Sequence, residues 1–106
     1  MSHMIIYSTF ADSEQAATIA KALVEKKLVA CANIFPPHIS VYSWEGKMQE
    51  SSEVAVIFKA VQENYAAVEK EIKKLHSYDV PCITAWEIGR GNAEFLQWIE
   101  QQAIKA

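Results

Sequence analysis

Nothing in these 106 residues is long, apolar or basic enough to point to a membrane or a nucleic acid. No apolar run approaches the roughly 20 residues that span a bilayer. The N-terminus lacks a basic segment followed by a hydrophobic stretch, so no secretory signal is expected. Ten basic residues against thirteen acidic ones give a formal charge of −3, the wrong sign for displacing counterions from phosphates. The clusters Lys26-Lys27 and Lys73-Lys74 both end helical patterns, where cations complement the helix dipole. Two cysteines, Cys31 and Cys82, form no CxxC pair and read as free thiols, which makes cytoplasm the expected location. There is no internal repeat, low-complexity tract or linker.

Catalytic signatures are missing as well. The chain has no Walker loop, GxGxxG, GxSxG or HExxH motif. Its single arginine, Arg90, stands between Gly89 and Gly91 in what reads as a plain turn. Lys59 and Glu53 are the one pairing that suggests acid–base work, and nothing orients them. The expectation is therefore no enzyme. A chain of this length makes one domain, expected over residues 4–106, and buries a core without disulfides, metal or cofactor. Met1-Ser2-His3-Met4 resembles a tag junction, so residues 1–3 are set aside.

What is present is alternation of two kinds. Met4–Ala11 is β-branched and aromatic and reads as a strand. Asp12 or Ser13 offers an N-cap, and Ala16, Ile19, Ala20 and Leu23 then recur at helical spacing. Strand character returns over 28–35 and is interrupted at Pro36-Pro37, where proline fits an edge or a bulge. Ile39, Val41 and Ser43 alternate with Tyr42 and Trp44, and Glu45-Gly46 makes a tight turn. Residues 47–61 return as a strand. Each arm could reach about 14 residues, against a usual 5–6. A second helix over 62–76 has the stripe Tyr65, Val68, Ile72, Leu75, with Glu69 and Lys73 as an i, i+4 pair. A strand over 82–88 and a helix capped by Asn92 complete the chain.

The order β-α-β-β-α-β-α is that of an α+β, ferredoxin-like (split βαβ) fold. It predicts an antiparallel sheet with helices on one face, a long hairpin between the second and third strands, and an extra C-terminal helix. A long hairpin beyond a half-covered sheet exposes edges and apolar surface, so self-association is expected. Trp44, near the hairpin tip, points to an interface or a ligand cleft. Glu53 and Lys59 either face solvent or pair within a subunit junction. His76 and Cys82 bracket the loop after the second helix and are the candidate metal ligands, imidazole and thiolate suiting copper. His76 also fits a helix C-terminal cap, Cys31 a core position, and His38 the surface.

The run Leu28-Val29-Ala30-Cys31-Ala32-Asn33-Ile34, the block Tyr42-Ser43-Trp44-Glu45-Gly46-Lys47, and His76-Ser77-Tyr78-Asp79-Val80-Pro81 together resemble the CutA divalent-cation-tolerance proteins. The resemblance implies a ferredoxin-like protomer in a homotrimer built by hairpin and sheet-edge pairing. It also implies a cytoplasmic role in tolerance to copper or other divalent cations, with weak metal binding. Metal-binding members can carry cysteine where this chain has Ser8. A paired histidine is here Leu75-His76, and Cys82 follows Pro81 where glutamate is usual. The alternative is a trimeric small-molecule regulator like the PII-type signal proteins. Its ligand would sit in a cleft between subunits lined by Tyr42, Trp44, Glu53, Lys59 and Tyr78.

Overall fold

Ile6, Phe10, Val54, Val56 and Phe58 are all essentially buried, and the elements are arranged to bring them together. The computed structural model describes residues 2–104; Met1 and the last two residues of the expected domain lie outside them. Strand β1 (His3–Phe10) is followed by α1 (Ser13–Glu25), β2 (Cys31–Ile34), β3 (His38–Trp44) and β4 (Lys47–Val61). A 3-10 turn at Gln62–Asn64 leads into α2 (Tyr65–Leu75), then β5 (Ile83–Glu87) and α3 (Ala93–Gln102). The sheet runs β2-β4-β1-β5, with β3 pairing the outer part of β4. Every pairing is antiparallel. This is the ferredoxin-like order, with β2 and β3 together forming its second strand.

Local chemistry explains the boundaries. Asp12 caps α1, its Oδ1 accepting from the Gln15 N–H at 2.8 Å, and Asn92 caps α3 through the Phe95 N–H at 3.0 Å. Both caps agree with the sequence. The expected strand over 28–35 shrinks to four residues. Lys27 takes a left-handed φ of 60° and turns the chain at 28–30, where the Asn64 amide donates to the Leu28 carbonyl at 3.1 Å. The Glu69–Lys73 pair is not among the ion pairs of the described residues; Glu69 instead accepts from the Tyr65 hydroxyl. His3 is the first residue of β1, facing Val61, and its Nε2 lies 2.6 Å from Glu100.

Ile34 faces Val56 while His38 faces Glu53, so residues 35–37 stand against only 54 and 55. That extra residue is a β-bulge at Pro36-Pro37. The hairpin continues past it to Trp44 opposite Lys47. Glu45 and Gly46 close it with φ of 52° and 78°, the two positive values of a type I′ turn.

Even-numbered β1 and β4 residues face α1 and α2. There Ile6 and Phe58 pack with Ile19, Leu23, Val68 and Ile72. Helix α3 makes a second, smaller core through Ile99 with Val61 and Ala30. The hairpin stretches the molecule to 45 × 25 × 23 Å, with a radius of gyration of 14.3 Å against about 13 Å for a rounded chain of this length.

Candidate ligand-binding cleft

The odd-numbered face of β4 carries Gln49, Ser51 and Glu53. Directly across on β3 stand Tyr42, Ser40 and His38. Cross-strand partners point to the same side, so Trp44, Tyr42 and Ser40 form one wall and Gln49, Ser51 and Glu53 the next. The loop at 77–82 closes the third side, and the three enclose a cleft of about 740 Å³ that also touches Tyr7 and Thr9. Its volume falls in the range of small-molecule sites, about 300–1,000 Å³.

Glu53 is its polar centre. Ser40 Oγ donates to Oε1 at 2.6 Å and the Tyr78 hydroxyl donates to Oε2 at 2.9 Å. Ser40 Oγ in turn lies 3.2 Å from His38 Nε2. Burial, and then the bond to Glu53 and its charge, push the Tyr78 phenol up to about 12. The phenol therefore stays a donor at neutral pH and holds the carboxylate from the loop side while Ser40 holds it from the strand side.

His76 anchors the same loop. Its Nε2–H donates to the Thr9 carbonyl at 2.8 Å and its Nδ1 accepts from the Tyr78 N–H at 3.0 Å. The ring stacks on Phe10, centroids 4.9 Å apart, and meets Tyr78 at 4.7 Å. Both nitrogens are engaged, so neither offers a lone pair to a metal ion in this arrangement. Cys82 joins the cleft wall. Partial burial of its thiol, then the Glu53 charge, push it up, against a smaller downward pull from Thr9. A protonated thiol is a poor ligand. Among the described residues no three His, Cys, Asp or Glu side chains converge. His76, Cys82 and their neighbours do not fit a closed metal site within one chain.

Of the residues the sequence singles out for a cleft, Tyr42, Trp44, Glu53 and Tyr78 come together. Lys59 does not. It shares the Glu53 face of β4 but lies six residues further along, about 20 Å away at strand rise. There its Nζ donates to Asn33 Oδ1 at 2.6 Å and sits 6.0 Å from the centre of the Phe95 ring. Ser40, Asp79 and Cys82 take wall positions, and among the described residues the lining contains no lysine or arginine. His38, expected at the surface, is half-buried behind Ser40.

Residues 4–102 match the family model for the CutA1 divalent ion tolerance protein. This chain belongs to the CutA family. It is 50% identical over 99 residues to the divalent-cation tolerance protein CutA of Archaeoglobus fulgidus, covering 93% of this chain and 96% of the relative. With the CutA of Pyrococcus horikoshii it shares 37% over 102 residues, 96% of this chain and 99% of the other. Among solved structures, CutA1 from Oryza sativa superposes with a TM-score of 0.97 at 33% identity, covering 100% of this chain and 97% of that one. The A. fulgidus structure, described as a periplasmic divalent cation tolerance protein, superposes at 0.93 with 48% identity, covering 96% and 99%.

Proposed function

We propose that this CutA family member serves divalent-cation tolerance as a homotrimer in the cytoplasm, without catalytic activity. The observation that carries the assembly is the hairpin. Ile39 and Val41 are each 63% exposed and Met48 80%, a run of apolar surface on a paired ribbon that no described residue of the chain covers. Apolar patches of this kind mark interaction sites, and a head-to-tail contact between identical copies closes into a ring when the rotation allows. The free thiols Cys31 and Cys82 support a reducing compartment.

Copper or another divalent ion binds weakly in this reading, through the Glu53 and Cys82 wall rather than through His76. Titration calorimetry with Cu(I), Cu(II) and Zn(II) on the chain freed of residues 1–3 tests it. Weak heats that fall with Glu53→Gln and Cys82→Ser but persist in His76→Phe are expected. Tight binding that disappears only in His76→Phe contradicts this assignment. A second reading, a small-molecule regulator, is favoured by a specific observation: the cleft is far larger than a bare ion needs, and Glu53 is held in place on both oxygens before any ligand arrives.

A further inference from the structure

We propose that the cleft between the hairpin and the 77–82 loop binds a small organic ammonium ion, an amine carrying a hydrocarbon body. The inference rests on the small-molecule reading of this cleft and fixes the chemical class of its ligand. The walls decide the sign of the charge. Glu53 and Asp79 line the cleft, and among the described residues no lysine or arginine does; Lys59, the cation that would have favoured an anionic ligand, is committed to Asn33 and Phe95. An anion entering here meets two carboxylates.

The walls also decide the kind of cation. Trp44 and Tyr42 stand two residues apart on one strand face, with Tyr78 across from them. Aromatic faces attract cations through the ring quadrupole and bury hydrocarbon at the same time. A bare metal ion uses neither property, and among the described residues no three His, Cys, Asp or Glu side chains converge to hold one tightly. A neutral apolar ligand would cover the Glu53 carboxylate without compensating it.

An ammonium group satisfies both demands. Glu53 accepts two hydrogen bonds, from Ser40 and Tyr78. A carboxylate has about four acceptor positions, so two remain for N–H donors. Because Ser40 and Tyr78 fix the carboxylate from opposite sides, binding requires little reordering of the protein side.

The experiment titrates n-butylammonium chloride, with sodium butyrate as a size-matched anion at equal ionic strength. The Trp44 indole resonance is followed by NMR, and light scattering is run on the same sample. A saturable Trp44 shift with butylammonium alone is expected. Glu53→Gln should weaken it about tenfold or more, the effect of losing a hydrogen bond to a charged group, and the exposed Asp79→Asn should weaken it by less. Butyrate binding as tightly as butylammonium, no saturable shift, or wild-type affinity in both variants overturns the inference. Light scattering reads the assembly separately. A trimer that ignores butylammonium removes this inference alone, and a monomer that binds it removes the trimer alone.

Discussion

Strand β4 is two different strands laid end to end. From Val54 to Val61 it has β1 on one edge, with β2 on the other from Val56 to Lys59, and Val54, Val56, Phe58 and Ala60 are buried. From Lys47 to Glu53 its only strand partner among the described residues is β3, and its side chains are exposed or half-buried. The alternation of side chains is the same in both halves, and the burial is not. Burial is therefore set by how many layers reach a given stretch. Helices α1 and α2 cover the inner half, whereas among the described residues only the 77–82 loop reaches the outer one, at Glu53 and on the cleft face alone. The inner half holds the core of the chain, and the outer half is the part proposed above to meet a second copy and a ligand.

The largest effect that separates the halves comes from Phe58→Ala. Phe58 is 0% exposed, and its removal leaves a cavity under α1, costing about 3–5 kcal/mol in chemical denaturation at fixed protein concentration. A loss below about 1 kcal/mol would mean that the inner half does not carry the core.

A smaller effect, of opposite sign, is expected at the far end of the same strand. Glu45 holds φ at 52°, where a side chain with a β-carbon is strained and asparagine is tolerated. Glu45→Asn should raise stability by about 0.5–1 kcal/mol without moving the Trp44 signal. A destabilised variant would rule out the type I′ reading of the turn.

The smallest effect concerns the inner half's helical cover. Lys26 on α1 pairs with Glu71 on α2, and the Lys26 hydrogen bond lowers the Glu71 carboxyl below its usual value. A carboxyl lowered on folding contributes stability above its unfolded value, and that contribution is lost as pH falls through its folded value. Lys26→Ala should lower stability slightly at neutral pH, as an exposed pair does, and not at all once Glu71 is protonated, so the acid limb of a stability–pH profile flattens by that same small amount. An unchanged acid limb would show that the pair does not couple the two helices.

Sequence alternation assigned faces well and distances poorly, and the reasons are physical. Asp12 and Asn92 could be read as caps because the donors they serve are three residues away. Pro36-Pro37 could be read as an edge or a bulge because proline cannot donate to a ladder. The turn was legible because glycine supplies a positive φ.

Glu53 and Lys59 share one face, since both are odd-numbered in β4. Which of them meets the 77–82 loop depends on where that loop crosses the sheet, and no local pattern encodes that. The fate of His76 was hidden for a similar reason. Its two partners are a carbonyl on β1 and an N–H beyond the helix end, backbone groups that leave no trace in residue identity. Asn64 was missed too. Its amide reaches the Leu28 and Ile104 carbonyls, 36 and 40 residues away in the chain.

The central proposal is that the outer hairpin, β3 with the outer half of β4, joins copies of the chain. The most direct test is mass in solution, by light scattering at micromolar concentration, for the wild type and for the hairpin double variant Ile39→Asp/Val41→Asp. The account predicts a wild-type mass of three times 11.9 kDa. It predicts 11.9 kDa with a retained α/β circular dichroism spectrum for the variant, because the substitutions leave the inner half untouched. A wild type already at the single-chain mass, or a variant still at the triple mass, would contradict it.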